Sequence, residues 1–145
     1  MLFRSSIQMD ANDPASYLGL GIVYMQKGMH QEAITVYQKA TETSERTSYI
    51  LGPLGHALAT SGRRDEALKV LEELKAMSRK KYVSPYDLAV LYTGLGEKDK
   101  AIEQLNKAYV ERAGWIIDLK VEPTFDTLRS DPRFTDLVRR LKLAA

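Results

Sequence analysis

A chain of 145 residues without a single cysteine has the size of one ordinary domain, and it offers no disulfide, thiolate metal site or cysteine nucleophile. Its 21 basic and 19 acidic residues are interspersed, a balance too even to mark a nucleic-acid or anionic-lipid surface, so neither nucleic acid nor membrane is an expected partner. Hydrophobic residues make up 44% without any run of the about eighteen needed to span a bilayer, and Met1-Leu2-Phe3-Arg4-Ser5 lacks a signal peptide's apolar stretch, so a soluble, packed, cytoplasmic protein is expected.

Residues 1–13 read as the end of a helix followed by a linker, Asp10-Ala11-Asn12-Asp13. Phe3, Ser6 and Met9 are spaced like the closing positions of the helical units further along the chain. Terminal units of a stacked array normally turn a polar face outward, and this half-unit shows none. Phe3 and Ile7 are therefore expected to form an edge through which the chain could self-associate.

Three segments then repeat one template. Ala33, Ala67 and Ala101 stand 34 residues apart, each followed four positions later by a bulky side chain, Tyr37, Leu71 or Leu105. Thirteen residues before each alanine comes Leu20-Gly21, Leu54-Gly55 or Leu88-Ala89, and then Tyr24, Leu58 or Tyr92. Gly28, Gly62 and Gly96 lie five residues before the alanines; Ala40, Leu74 and Ala108 lie seven after. Apolar residues recur at three- and four-residue spacing on both sides of each glycine, which predicts two amphipathic helices per unit broken at that glycine. The units are 14–47, 48–81 and 82–115. Asp13-Pro14 and Ser84-Pro85, the latter with Asp87 at the third helical position, are helix starts. Pro53, about a turn into the second unit, predicts a late start for that helix.

Residues 116–145 close the chain. Trp115-Ile116-Ile117-Asp118-Leu119 suggests a short amphipathic helix, interrupted by Pro123 before Phe125 and Leu128. Asp131-Pro132 opens a last helix whose Phe134, Leu137, Val138 and Leu141 share one face, opposite Arg133, Asp136, Arg139, Arg140 and Lys142, as a capping helix requires.

Chemistry-bearing groups are sparse. His30 and His56 are the two histidines, and neither has a second ligand type at metal spacing; no nucleophile, carboxylate pair or glycine-rich phosphate loop accompanies them. No catalytic residue, metal or cofactor is expected, and the chain is not expected to be an enzyme. The basic clusters Arg63-Arg64 and Arg79-Lys80-Lys81 are interleaved with Asp65, Glu66, Glu72 and Glu73, the pattern of a solvated helix exterior carrying local ion pairs.

The 34-residue spacing, with its Leu-Gly, Tyr and Ala positions, resembles the tetratricopeptide repeat. Departures fall at the first bulky position, occupied by Tyr17, Leu51 and Pro85, and at the terminal proline, replaced by Glu45, Arg79 and Ala113. The resemblance implies an all-α solenoid, a right-handed superhelix of antiparallel helix pairs with C-terminal capping helices. It also implies a scaffold that binds a protein or peptide, with self-association as the alternative. First helices of the family line a concave groove, here expected to be uncharged, and the matching partner-binding positions are Leu18, Ile22, Met25, Tyr49, His56, Tyr86 and Val90. Lysine, asparagine and arginine, which the family uses to clamp a peptide carboxylate, are missing from the groove positions, so an apolar helix or extended segment is the expected ligand. Residues 116–145, together with Tyr82-Val83-Ser84-Pro85-Tyr86, resemble the closing segment of large bacterial repeat proteins with regulatory effector domains.

Overall fold

The computed structural model describes residues 13–43, 47–111, 119 and 122–144. The edge formed by Phe3 and Ile7 lies outside the described residues, as does the helix suggested at Trp115, apart from Leu119, which is buried. Six helices form three successive hairpins: α1 (Pro14–Gln26) with α2 (His30–Thr43), α3 (Ser48–Thr60) with α4 (Arg64–Ser78), and α5 (Pro85–Leu95) with α6 (Lys98–Glu111). A short 3-10 helix (Pro123–Leu128) and α7 (Pro132–Ala144) follow. The chain is an all-α helical-repeat solenoid.

The hairpin turns repeat almost atom for atom. The N–H groups of Met29, Arg63 and Glu97 donate to the carbonyls of Tyr24, Leu58 and Tyr92 at 2.8, 2.8 and 3.0 Å. That six-to-one bond needs a left-handed residue just before the donor, and Gly28, Gly62 and Gly96 supply it with φ of 76°, 90° and 78°. At the starts of the first helices, Asp13 accepts from the Ala15 N–H at 3.0 Å and the Ser84 hydroxyl from the Tyr86 N–H at 3.2 Å, each ahead of a proline whose missing N–H costs nothing there.

The core runs through all three hairpins. Ala33, Ala67 and Ala101 are fully buried, and a side chain at Gly21 would collide with the Tyr37 ring, so the small positions are where paired helices touch. The basic clusters stay outside the core, with Arg63 pairing Glu66 at 2.7 Å on the surface, where such a pair contributes little. At the far end Phe134 and Leu137 of α7 are buried and Arg139 is exposed. Among the described residues no helix is long and apolar enough to cross a membrane.

One difference from the sequence reading concerns Pro53. The helix begins at Ser48, with Thr47 as its N-cap, and runs through the proline rather than starting after it. Packing against α5, α4 and α2 outweighs the one backbone hydrogen bond that proline forfeits.

Spacing between the first helices is uneven. Helices α3 and α5 lie in intimate contact, whereas α1 and α3 touch only slightly. Glycines explain the close pair: a Cβ on Gly52 would stand 2.7 Å from the Asp87 backbone oxygen, and one on Gly94 2.8 Å from the His56 Cα. Gly19 of α1, by contrast, faces open space. Gly52→Ala is therefore expected to destabilise the fold by about 1–3 kcal/mol, since the obstacle is backbone and cannot turn aside. Gly19→Ala should stabilise it by roughly 0.5–1 kcal/mol through helix propensity alone. Urea denaturation of both variants checks the contrast, and equal effects would discredit the α3–α5 approach.

Candidate functional site

The gap left between α1 and α3 is a groove of about 460 Å³, bounded also by α5, by Tyr37 of α2 and by the chain just before and within the 3-10 helix. Helical periodicity positions its walls. Residues four apart on α1, Leu18, Ile22 and Gln26, face it together with Ala15, Gly19 and Met25. From α3 come Tyr49, Pro53 and His56, again at three- and four-residue intervals, and from α5 come Tyr86, Asp87 and Val90.

All seven sequence-predicted contact residues, Leu18, Ile22, Met25, Tyr49, His56, Tyr86 and Val90, line this one groove. Their accessibility divides them. Ile22 and Tyr49 are 39% and 42% exposed at the mouth, and Leu18, Met25 and His56 are partly buried. Tyr86 and Val90 are each only 6% exposed and behave as wall rather than contact surface. Tyr86 is covered by the tail: the Phe125 ring packs on it edge to face, with centroids 5.6 Å apart at 78°.

Sequence reasoning missed several contributors, two of which, Asp87 and Glu122, put carboxyl groups in a groove expected to be uncharged. Asp87 has the local signature of a helix-start residue, yet its carboxyl takes a hydrogen bond from Ser48 of the neighbouring hairpin and lines the groove. Glu122, Pro123 and Thr124 form part of the wall although they follow the last repeat, a return path that no helical periodicity encodes. Glu122 Oε1 accepts from the Thr124 N–H at 3.1 Å and its hydroxyl at 2.8 Å, which fixes the bend into the 3-10 helix.

Electrostatically the groove is a poor solvent for charge. Burial pushes the Asp87 carboxyl up to about 6, only partly offset by the Ser48 hydrogen bond. Burial also holds the His56 imidazole down at about 4; the His30 ring acts in the same sense, and a hydrogen bond at the Thr124 backbone opposes it. The Tyr37 phenol is pushed well above its ordinary range by burial, with the Glu122 charge adding to the effect. At neutral pH the imidazole is uncharged. Among the described residues no three His, Cys, Asp or Glu side chains come together as a metal site.

A solenoid of helical hairpins with an apolar groove across its first helices defines a repeat-type protein-interaction module. Family models for the tetratricopeptide repeat match residues 14–47 and 53–115. The chain belongs to the tetratricopeptide-repeat family. It is also similar to a barley (Hordeum vulgare) protein described as a probable UDP-N-acetylglucosamine–peptide N-acetylglucosaminyltransferase SPINDLY, 25% identical over 117 residues. That match covers 76% of this chain and 12% of the barley protein. No solved structure is a significant match to the chain.

Proposed function

We propose that this chain is a non-catalytic scaffold whose groove receives an apolar helix or extended segment of another protein. The observation that carries this reading is the convergence of side chains from three separate repeats on one groove, with Ile22 and Tyr49 exposed at its mouth beside Leu18 and Met25. A groove of this size and apolar character suits a few buried anchor side chains. The resemblance of the tail to bacterial regulatory repeat proteins supports a cytoplasmic setting within a larger regulatory or assembly protein.

Panning a phage-displayed random peptide library against the immobilised chain tests the proposal. Peptides enriched on the wild type are expected to lose at least about tenfold in affinity on Ile22→Asp, which sets a charge among apolar anchors. Circular dichroism should show the helicity of this exposed-position variant unchanged. Equal binding to Ile22→Asp would refute the groove reading. Tyr86→Asp is not a clean substitute, because Tyr86 supports Phe125.

A second reading, self-association through the N-terminal edge, is favoured by α1 itself. Of its thirteen residues, most of them apolar, Gly21 alone is buried, and Val23 is 36% exposed. Light-scattering mass across a wide concentration range, on the full chain and after deletion of residues 1–12, separates the two readings. Dimerisation that disappears with the deletion supports the edge, and a monomer in both leaves the groove for a foreign partner.

A further inference from the structure

Resting on the groove reading, a second property of the same surface narrows the chemistry of its ligand. The groove carries two carboxylates, Asp87 and Glu122, and no lysine or arginine lines it. Among the described residues neither carboxylate forms an ion pair. Asp87 is 9% exposed and has the Ser48 hydroxyl as its hydrogen-bond partner; both bonds to Glu122 fall on a single oxygen, Oε1. A carboxylate offers about four acceptor positions, so each retains capacity.

A buried carboxylate in a wall that no lysine or arginine lines is costly to desolvate, and the elevated titration of Asp87 is a sign of that cost. His56, the one basic side chain in the groove lining, is neutral at physiological pH, and Arg129, which donates to the Glu122 backbone carbonyl at 2.9 Å, is paired with Asp126 at 2.7 Å. Complementarity then requires the positive charge to come with the ligand.

We propose that the segment received by this groove is apolar with an embedded basic side chain, whose cation is taken by Asp87 and Glu122. Its neighbouring apolar residues lie over Leu18, Ile22 and Met25. Lysine and arginine both suit such a site, since each has an alkyl stem that can follow the apolar wall while the charged head reaches the acids. Arginine has the further advantage of a planar fork that pairs two donors with one carboxylate. Acidic segments are repelled by the same pair.

The test uses the full chain, the same random phage-displayed library, and the isosteric variants Asp87→Asn and Glu122→Gln. Both amides keep an oxygen to accept from Ser48 and Thr124, so the fold is preserved while the charge is removed. Wild type is expected to enrich peptides with a lysine or arginine inside an apolar run. A synthetic peptide from that pool should bind the double variant at least about tenfold more weakly by fluorescence anisotropy. Its Lys→Gln or Arg→Gln version should bind wild type and double variant equally, because the two changes remove the same interaction. Glu122→Gln alone, at a less buried position, should show the same trend.

Enriched peptides that are apolar but lack a basic residue, and that bind the double variant as well as wild type, would overturn this inference and leave the groove reading standing. Basic peptides whose affinity ignores both carboxylates would overturn it too. Failure to enrich any peptide, or binding unaffected by Ile22→Asp, would remove the groove reading and this inference together.

Discussion

Replacing Phe125 with alanine is expected to lower stability by about 3–5 kcal/mol, the range for deleting a fully buried aromatic side chain. The ring is completely inaccessible, stands edge-on to Tyr86 and lies 6.3 Å from the Phe134 ring, so its removal leaves a cavity at the junction of α5, the 3-10 helix and α7. In an array stabilised mainly by contacts between neighbours, that loss stays local. Chemical denaturation is therefore expected to separate into an early step, release of residues 122–144, and a later one for α1–α6. Hydrogen exchange read by mass spectrometry checks this directly, because peptides from 122–144 should lose protection first. A loss below about 1 kcal/mol, or one spread evenly along the chain, would mean that the ring does not pin the tail.

The second large effect is hidden in the wild type because two groups oppose each other. His56 titrates at about 4 in the folded chain and near 6.5 when unfolded, so its contribution to stability is present above pH 6.5 and is lost as pH falls toward 4. Asp87 moves the other way, from 3.8 unfolded to about 6 folded, so its contribution is complete below 3.8 and is lost as pH rises through 6. Each is worth on the order of 3 kcal/mol, and between pH 4 and 6 they nearly cancel. Asp87→Asn is expected to expose the histidine and lose stability on acidification across this window. His56→Gln is expected to expose the aspartate and gain it. Urea midpoints at several pH values between 4 and 7 measure both slopes. If both variants kept the wild-type slope, neither group would be as desolvated as its surroundings imply.

How much of this was legible in the sequence depends on the range of the interaction. The hairpins were legible because glycine, alanine and the bulky positions recur at fixed spacing, and each acts within a few residues: Gly62 ends α3, and Ala67 admits α3 against α4. The groove's repeat-derived walls were legible only through the resemblance to the tetratricopeptide repeat, which says which helix face lines a groove; periodicity adds that residues such as Leu18 and Ile22 share that face. Pro53 was misjudged because its local penalty is easy to see and the packing that overrides it is not. Asp87 was missed because a helix-start position already accounts for it locally, while its partner Ser48 lies in another hairpin. Glu122 and Thr124 were missed because the tail's route is set by where Phe125 finds a pocket, and no short motif records that choice.

The return of the tail has a kinetic consequence. The main contacts among the hairpins join helices adjacent in sequence or next but one, as α3 and α5 are, a situation of fairly low contact order in which hairpins zip up rapidly from any nucleus. The hydrogen bond at the Thr124 backbone, reached by His56 from the other half of the chain, requires a far longer loop to close than any hairpin turn does. Docking of residues 122–128 should therefore be the last event of folding. A newly synthesised chain would pass through a stage in which its helices are in place and its groove still lacks one wall, and it would acquire ligand selectivity later than it acquires shape.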